Sequence, residues 1–306
     1  MTDVAPARRP WPVRRLGGPG LALMVLKTLT ALGLSWLVGG CAWRQVSVEP
    51  ALRPEPVWLL GELHDSPHAH RARFRDLEQR VTAGWRPTLV MEQFDREQQP
   101  DLDAALARCA DPQCVVRAVG GPGWDWALLT PVLALAQQHR LPVVAGNVSR
   151  ADASRVVREG LSAVLSPALM QRFGLPGSLT PTVQAALEKA VDDGHCGQLP
   201  AAWVSRMAMA QVARDVWLAQ LVQAHAAQGV VLLAGNGHVR HDLGVPHWLR
   251  QIGLTGVWSV GYEEPEAGDQ APQPPSAKRY DQLRSVPPHP RADPCANLRM
   301  GTGDRR

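Results

Sequence analysis

The chain of 306 residues carries 32 Lys and Arg against 28 Asp and Glu, with an apolar fraction of 45%. The basic excess belongs to the first 40 residues, where Arg8, Arg9, Arg14, Arg15 and Lys27 face only Asp3, so residues 41–306 hold 27 charges of each sign. That balance removes the electrostatic basis for a nucleic-acid partner, and the remaining length and globular composition suit one sizeable α/β domain.

In chain order, the basic residues are followed by an apolar stretch from Leu21 to Val38 that closes on Gly39-Gly40-Cys41. A basic start, an apolar middle and a small-residue finish define a secretory signal over residues 1–40, and the run is short for a membrane span. An uncleaved signal anchor is the alternative. Leu37-Val38-Gly39-Gly40-Cys41 resembles the lipobox of bacterial lipoproteins, with Val38 where that pattern prefers Leu. The resemblance implies cleavage before Cys41, acylation of Cys41 with chains such as palmitate, and anchorage to a membrane. Ala42 after the cysteine implies the outer membrane, facing the periplasm or the surface. Residues 41–56 read as a linker.

The domain is expected over 57–262. Its first strand is Val57-Trp58-Leu59-Leu60-Gly61, since a short unbroken apolar run closed by glycine reads as a strand buried on both faces. A helix over 67–83 follows, then a strand over Thr88–Glu92, helices over 97–108 and 124–139, and a third strand over 142–147. Residues 149–200, broken by Pro167, Pro176 and Pro181, read as a helical insertion that covers the sheet edge as a lid. A long helix over 201–228 aligns Met207, Gln211, Arg214 and Leu218 on one face, a pocket wall or a core stripe. Strands over 230–235 and 256–262 complete the set. This alternation predicts an α/β fold, a mostly parallel sheet flanked by helices and joined by right-handed crossovers. From 263 to 306 the chain is a Pro-rich tail whose first part cannot fold alone, with Arg279–Leu283 as a final edge strand. Besides Cys41 there are four cysteines, an even number that suits an oxidising compartment. Cys109 and Cys114 close a short loop, and by elimination Cys196 pairs with Cys295; free buried thiols are the alternative.

One phrase occurs twice. An apolar run ends in Gly61-Glu62-Leu63-His64, and another ends in Gly235-Asn236-Gly237-His238. Ligands of parallel sheets gather at the carboxyl ends of the strands, where Glu92 and Asn147 also fall. Glu62, His64, Glu92 and His238 therefore form a candidate coordination sphere for a divalent metal such as zinc or manganese. Two hydrogen-bonded loop anchors without a ligand are the competing interpretation. His68, His70 and His241 read as solvated. Neither Gly-x-Ser-x-Gly nor His-Glu-x-x-His occurs, which disfavours a serine hydrolase or a zincin.

The same residues carry a family resemblance. Leu59-Leu60-Gly61-Glu62-Leu63-His64-Asp65, Val90-Met91-Glu92-Gln93-Phe94, His195-Cys196-Gly197, Met207 to Asp215, and Ala234 to Arg240 with Gly244-Val245-Pro246 are similar to the ChaN-like haem-binding lipoproteins of the Tiki and TraB superfamily. The resemblance implies haem binding, a role in haem or iron uptake at the cell envelope, exchange with an outer-membrane haem receptor, and a homodimer. Haem iron accepts His, Met, Cys or Tyr, so the candidates for the haem site are His64, His238, Tyr262, Met207 and His195, with Arg214 and Asn147 beside them. Trp124, Trp126 and Trp217 are candidates for stacking on a porphyrin. The superfamily also implies a rival function, a metal-dependent protease or esterase with Glu62 or Glu92 as general base.

Overall fold

A computed structural model describes residues 56–265, 279–293 and 295–296. The leader, Cys41, nearly all of the linker and residues 266–278 of the tail lie outside the described residues. Among the described residues, no helix is long and apolar enough to cross a membrane.

Six strands form one sheet: β1 (Val57–Leu60), β2 (Thr88–Asp95), β3 (Val143–Asn147), β4 (Val230–Leu233), β5 (Val257–Glu263) and β6 (Gln282–Ser285). Their spatial order is β3-β2-β4-β1-β5-β6, and every neighbouring pair is parallel. β1 and β4 are four-residue runs buried at every position, as two-sided burial requires. Strand alternation sorts the side chains. Trp58, Leu60, Leu89, Met91, Val231, Leu233 and Val260 pack with α1 (Pro67–Thr82), α2 (Gln99–Arg108), α3 (Pro112–Val119) and α4 (Trp126–His139). Val57, Leu59, Val90, Val230 and Leu232 pack on the other face with α5 (Arg150–Glu159), α6 (Pro167–Arg172), α7 (Pro181–Gly194), α8 (Ala201–His225) and α9 (Val245–Gln251).

The helix starts are written locally. Ser66, Asp111, Ser166 and Thr180 each cap a helix through the side-chain oxygen, and each is followed by a proline whose missing N–H costs nothing there. Both disulfides are present, Cys109–Cys114 and Cys196–Cys295. The segment over 149–200 folds as α5, α6 and α7, whose Ala153, Val156, Leu187 and Val191 join the core on the α8 face.

Several boundaries shift by one to three residues, α3 (Pro112–Val119) lies outside the expected helices, and two differences bear on the site. The edge strand lies at Gln282–Ser285 rather than 279–283. Asp281 instead accepts from the Ser259 backbone N–H, and the Tyr280 ring occupies the space a side chain at Gly261 would need. β2 runs on past Glu92 to Asp95 with a register irregularity after Met91, which places Glu92 and Gln93 inside the strand's last turn of the pleat.

Candidate functional site

Because β4 lies between β1 and β2, the two repeated phrases and Glu92 meet at the carboxyl edge of the sheet. A cavity of about 410 Å³ opens there, lined by Glu62, His64, His195, Asp215 and His238, with Leu187 and Val191 of α7 as part of its apolar wall. The two phrases interlock. A side chain at Gly61 would collide with Asn236 Oδ1, and a Cβ at Gly235 would come within 3.0 Å of His64 Cε1 and 3.1 Å of Nε2. Each glycine thus leaves room for a polar residue of the other phrase. Asn236 then clips β5, donating to the Tyr262 carbonyl at 2.7 Å and accepting from its N–H at 3.1 Å.

Two charged clusters flank the cavity. In the first, Glu62 is buried among residues of the α1 face. Its Oε1 accepts from Gln93 Nε2 at 3.1 Å and lies 2.9 Å from His64 Nδ1, while Oε2 pairs with the Arg73 guanidinium. Burial opposes ionisation, but Arg73 and the His64 hydrogen bond overcome it and hold Glu62 at about 2. His70 accepts from Arg73 at Nδ1 (3.2 Å) and donates from Nε2 to the His64 carbonyl (3.2 Å), so it is neutral. Burial and then Arg73 push its pKa down, in accord with that assignment.

In the second cluster His238 stands between two carboxylates, with Nδ1 2.6 Å from Asp215 and Nε2 3.2 Å from Glu92. Glu92 also accepts the Gly235 N–H at 2.8 Å. Burial lowers the imidazole's pKa, yet Glu92 and Asp215 together raise it to about 10. Both ring nitrogens donate, and His238 is an imidazolium near neutral pH. Glu92 is held below the ordinary carboxylate range against its burial, chiefly by the His238 charge. Asp215 is raised, because burial outweighs the pull of His238.

His64 differs. Its side chain is 54% exposed and its edge meets the Trp124 ring at 5.0 Å. Nδ1–H donates to Glu62, and among the described residues Nε2 has no hydrogen-bond partner. Partial burial lowers its pKa, but the Glu62 bond and the Glu92 charge raise it more. His195, at the end of α7, donates from Nδ1 to the Val191 carbonyl at 2.7 Å and lines the cavity.

Several expected site residues are elsewhere. Tyr262 is a correction: it shares the alternation of Val260, so its ring is fully buried on the α1 face and its hydroxyl donates to Asp76 at 2.6 Å. Burial and Asp76 push the phenol well above its ordinary value. Asn147 ends the outer strand β3 and donates to Asp95 at 2.8 Å, away from the cavity. Met207 packs against the core, and Arg214 Nε reaches the Val148 carbonyl at 3.5 Å. Of the α8 face read off the sequence, Gln211 lines the cavity, joined there by Asp215 rather than Arg214. Of the three candidate tryptophans, Trp124 touches His64, whereas Trp126 packs on Phe94 and Trp217 lies under Arg96.

His70 is a second correction, being buried rather than solvated, and His241 is half-buried against Asp281. The metal sphere is a third. Among the described residues no group of three or more His, Cys, Asp and Glu is placed to hold an ion, because Glu62, Glu92 and His238 spend their lone pairs and protons on one another, on Arg73 and on Gly235. Sequence reasoning missed Arg73 and Asp215. Asp215 had a signal, an acidic residue flanked by Val212, Ala213 and Val216 on an apolar helix, whereas Arg73 lies in a helix rich in arginine and had none.

The geometry belongs to a recognisable class. The family described as haem-binding uptake, Tiki superfamily, ChaN matches residues 50–249, and the chain belongs to it. The structure of cofacial heme binding to ChaN of Campylobacter jejuni is similar to 68% of this chain and 82% of that one, at 19% identity and a TM-score of 0.57. The type III effector HopBA1 is similar over 76% and 88% of the two chains at 12% identity and a TM-score of 0.42. A mutant of the erythromycin esterase EreC is similar over 69% and 70% at 11% identity and 0.38. No curated protein sequence matches the chain.

Proposed function

We propose that this protein binds haem in the cavity at the carboxyl edge of the sheet and serves haem or iron uptake at the cell envelope. The observation that carries the reading is His64. Its Nδ1–H is given to a buried carboxylate, which fixes the tautomer and leaves Nε2 as the free lone pair on the cavity wall, the arrangement protein metal ligands commonly adopt. His238 has no lone pair to offer, and Tyr262 is out of reach in the core. His195 is a second imidazole at the rim, and Leu187, Val191 and Leu243 provide apolar wall for a porphyrin face. When bound, the haem supplies the iron; the chain's own residues position, shield and release it.

The family gives the ligand class, and the leader gives the place. The lipobox-like Leu37–Cys41 supports acylation of Cys41 and an outer-membrane location, and the family's uptake description supports a role in haem uptake, within which exchange with a haem receptor and pairing of two copies are part of the same proposal. The hydrolase alternative is weakened at the two general bases first assigned to it, since Glu62, held at about 2, and Glu92, held below the ordinary carboxylate range, are weak proton acceptors near neutral pH.

Haemin titration followed by the Soret band tests the reading. His64→Ala is expected to weaken binding about tenfold or more, as loss of an oriented ligand does. Unchanged affinity in that variant would place the iron elsewhere. Fractionation of wild type and Cys41→Ser tests the anchor, with membrane association lost in the variant.

A further inference from the structure

After β6 the chain turns back across the carboxyl edge of the sheet as a strap. Val286 donates to the Glu263 carbonyl at 2.9 Å and is buried. Arg291 pairs with Asp65 at 2.7 Å and with Glu264 at 2.8 and 3.0 Å, and Glu264 also accepts from Ser66 at 2.7 Å. The strap ends in the Cys196–Cys295 disulfide. Its two attachments fall beside the cavity: Asp65 follows His64, and Cys196 follows His195. The strap therefore ties the wall that carries His64 to the α7 wall that carries Leu187, Val191 and His195.

The tie is accessible. Cys295 is exposed and Cys196 only half-buried, whereas Cys109 of the other disulfide is buried within the core on the α1 face. Cys196 holds a φ of +61° and Gly197 one of +66°, left-handed backbone that a residue with a side chain rarely adopts. Two turn bonds, Cys196 N–H to Asp193 and Gly197 N–H to Asp192, share with the crosslink the work of keeping it there.

We infer that Cys196–Cys295 is a thiol–disulfide exchange site that sets how firmly the cavity retains its ligand, the co-reactant being a dithiol. The inference rests on the haem reading for the ligand and on the strap for the device. A thiolate of the dithiol attacks Sγ of the exposed Cys295, the S–S bond breaks, and Cys196 leaves as a thiolate that takes up a proton. The second thiol of the co-reactant then displaces Cys295 and closes the co-reactant's own disulfide, so two electrons pass to the protein. With the tie gone, α7 is held to the rest of the rim by packing on α8 and the 2.7 Å hydrogen bond from Ser205 to Glu188, and the cavity opens on that side.

The test uses the full chain loaded with haemin, and release is followed by capture with excess apomyoglobin. Cys196→Ser and Cys295→Ser should each release haemin about tenfold faster, a typical coupling between two sites, with no further gain in the double variant. The paired Cys109→Ser/Cys114→Ser variant should release at the wild-type rate. Unchanged release in both single variants overturns the inference. If wild type takes up no haemin, the haem reading fails, and amide hydrogen exchange of residues 187–191 decides this one. Faster exchange after dithiothreitol treatment supports it, and equal exchange in oxidised and reduced protein overturns it. The same exchange measurement covers a serine variant that does not fold.

Discussion

The two Gly-x-x-His phrases end in imidazoles of opposite character. His64 is half-exposed with one nitrogen free, and His238 is buried as a cation between Glu92 and Asp215. The difference lies in who neutralises the buried carboxylate. Arg73 reaches Glu62 from α1, so His64 need not carry the balancing charge; among the described residues no arginine pairs with Glu92, so His238 carries the charge itself. A phrase shared by two strands thus leaves one imidazole with the geometry of the proposed ligand and makes the other a buried counter-ion, through helices that lie outside the phrase.

The largest effect expected from this contrast is that of His238→Ala. It leaves Glu92 and Asp215 buried without a cation and should lower stability by about 3–5 kcal/mol, read from thermal or denaturant unfolding. His64→Ala, with a half-exposed ring, should change stability by about 0.5 kcal/mol or less while weakening haemin. Equal stability losses in the two variants would erase the contrast.

Arg73→Met should cost about 3 kcal/mol, at the lower end for a broken buried pair, because His70 becomes free to take the charge. Arg73 and burial now hold His70 neutral. NMR titration should find His70 and His64 both shifted upward in the variant, and haemin binding weaker near neutral pH because protonated His64 has no lone pair. An unmoved His70 would mean that Arg73 is not the group that discharges it.

A smaller effect is expected of Gly235→Ala. The new Cβ would sit 3.0 Å from His64 Cε1. The ring must give way, at about 1–3 kcal/mol if the surroundings resist, with a loss of haemin affinity that equals or exceeds that of His64→Ala. Wild-type affinity in this variant would show that the interlock does not position His64.

The smallest change near neutral pH is in the pH profile of stability, and its sign follows from the shifts. His238 is raised from 6.5 to about 10, so its contribution is complete below about 6.5 and is lost as pH rises through about 10. Glu62 is lowered from 4.5 to about 2, so its contribution is present above about 4.5 and is lost as pH falls through about 2. Glu92 adds to the acid limb, and Asp215, raised by burial, offsets part of it. Unfolding midpoints across pH should show both limbs, and His238→Gln should lack the alkaline one.

By itself the sequence determined the strands and most of the helices in their order, with α3 (Pro112–Val119) among those it missed. Unbroken apolar runs closed by glycine became strands buried on both faces, Ser-Pro, Asp-Pro and Thr-Pro pairs became helix starts, and the cysteines paired as expected. These outcomes depend on local periodicity and capping, which a linear string records. It also marked Glu62, His64, Glu92 and His238 at the strand tips, and these side chains do converge there. Only the tertiary structure decided what each does. Sheet order put β4 between β1 and β2, alternation turned Tyr262 into the core, and Arg73 and Asp215 arrived from helices distant in sequence to set the charge of each imidazole. The physical reason is that a buried charge is governed by its counter-ion, and a counter-ion is chosen by packing in three dimensions rather than by neighbours along the chain.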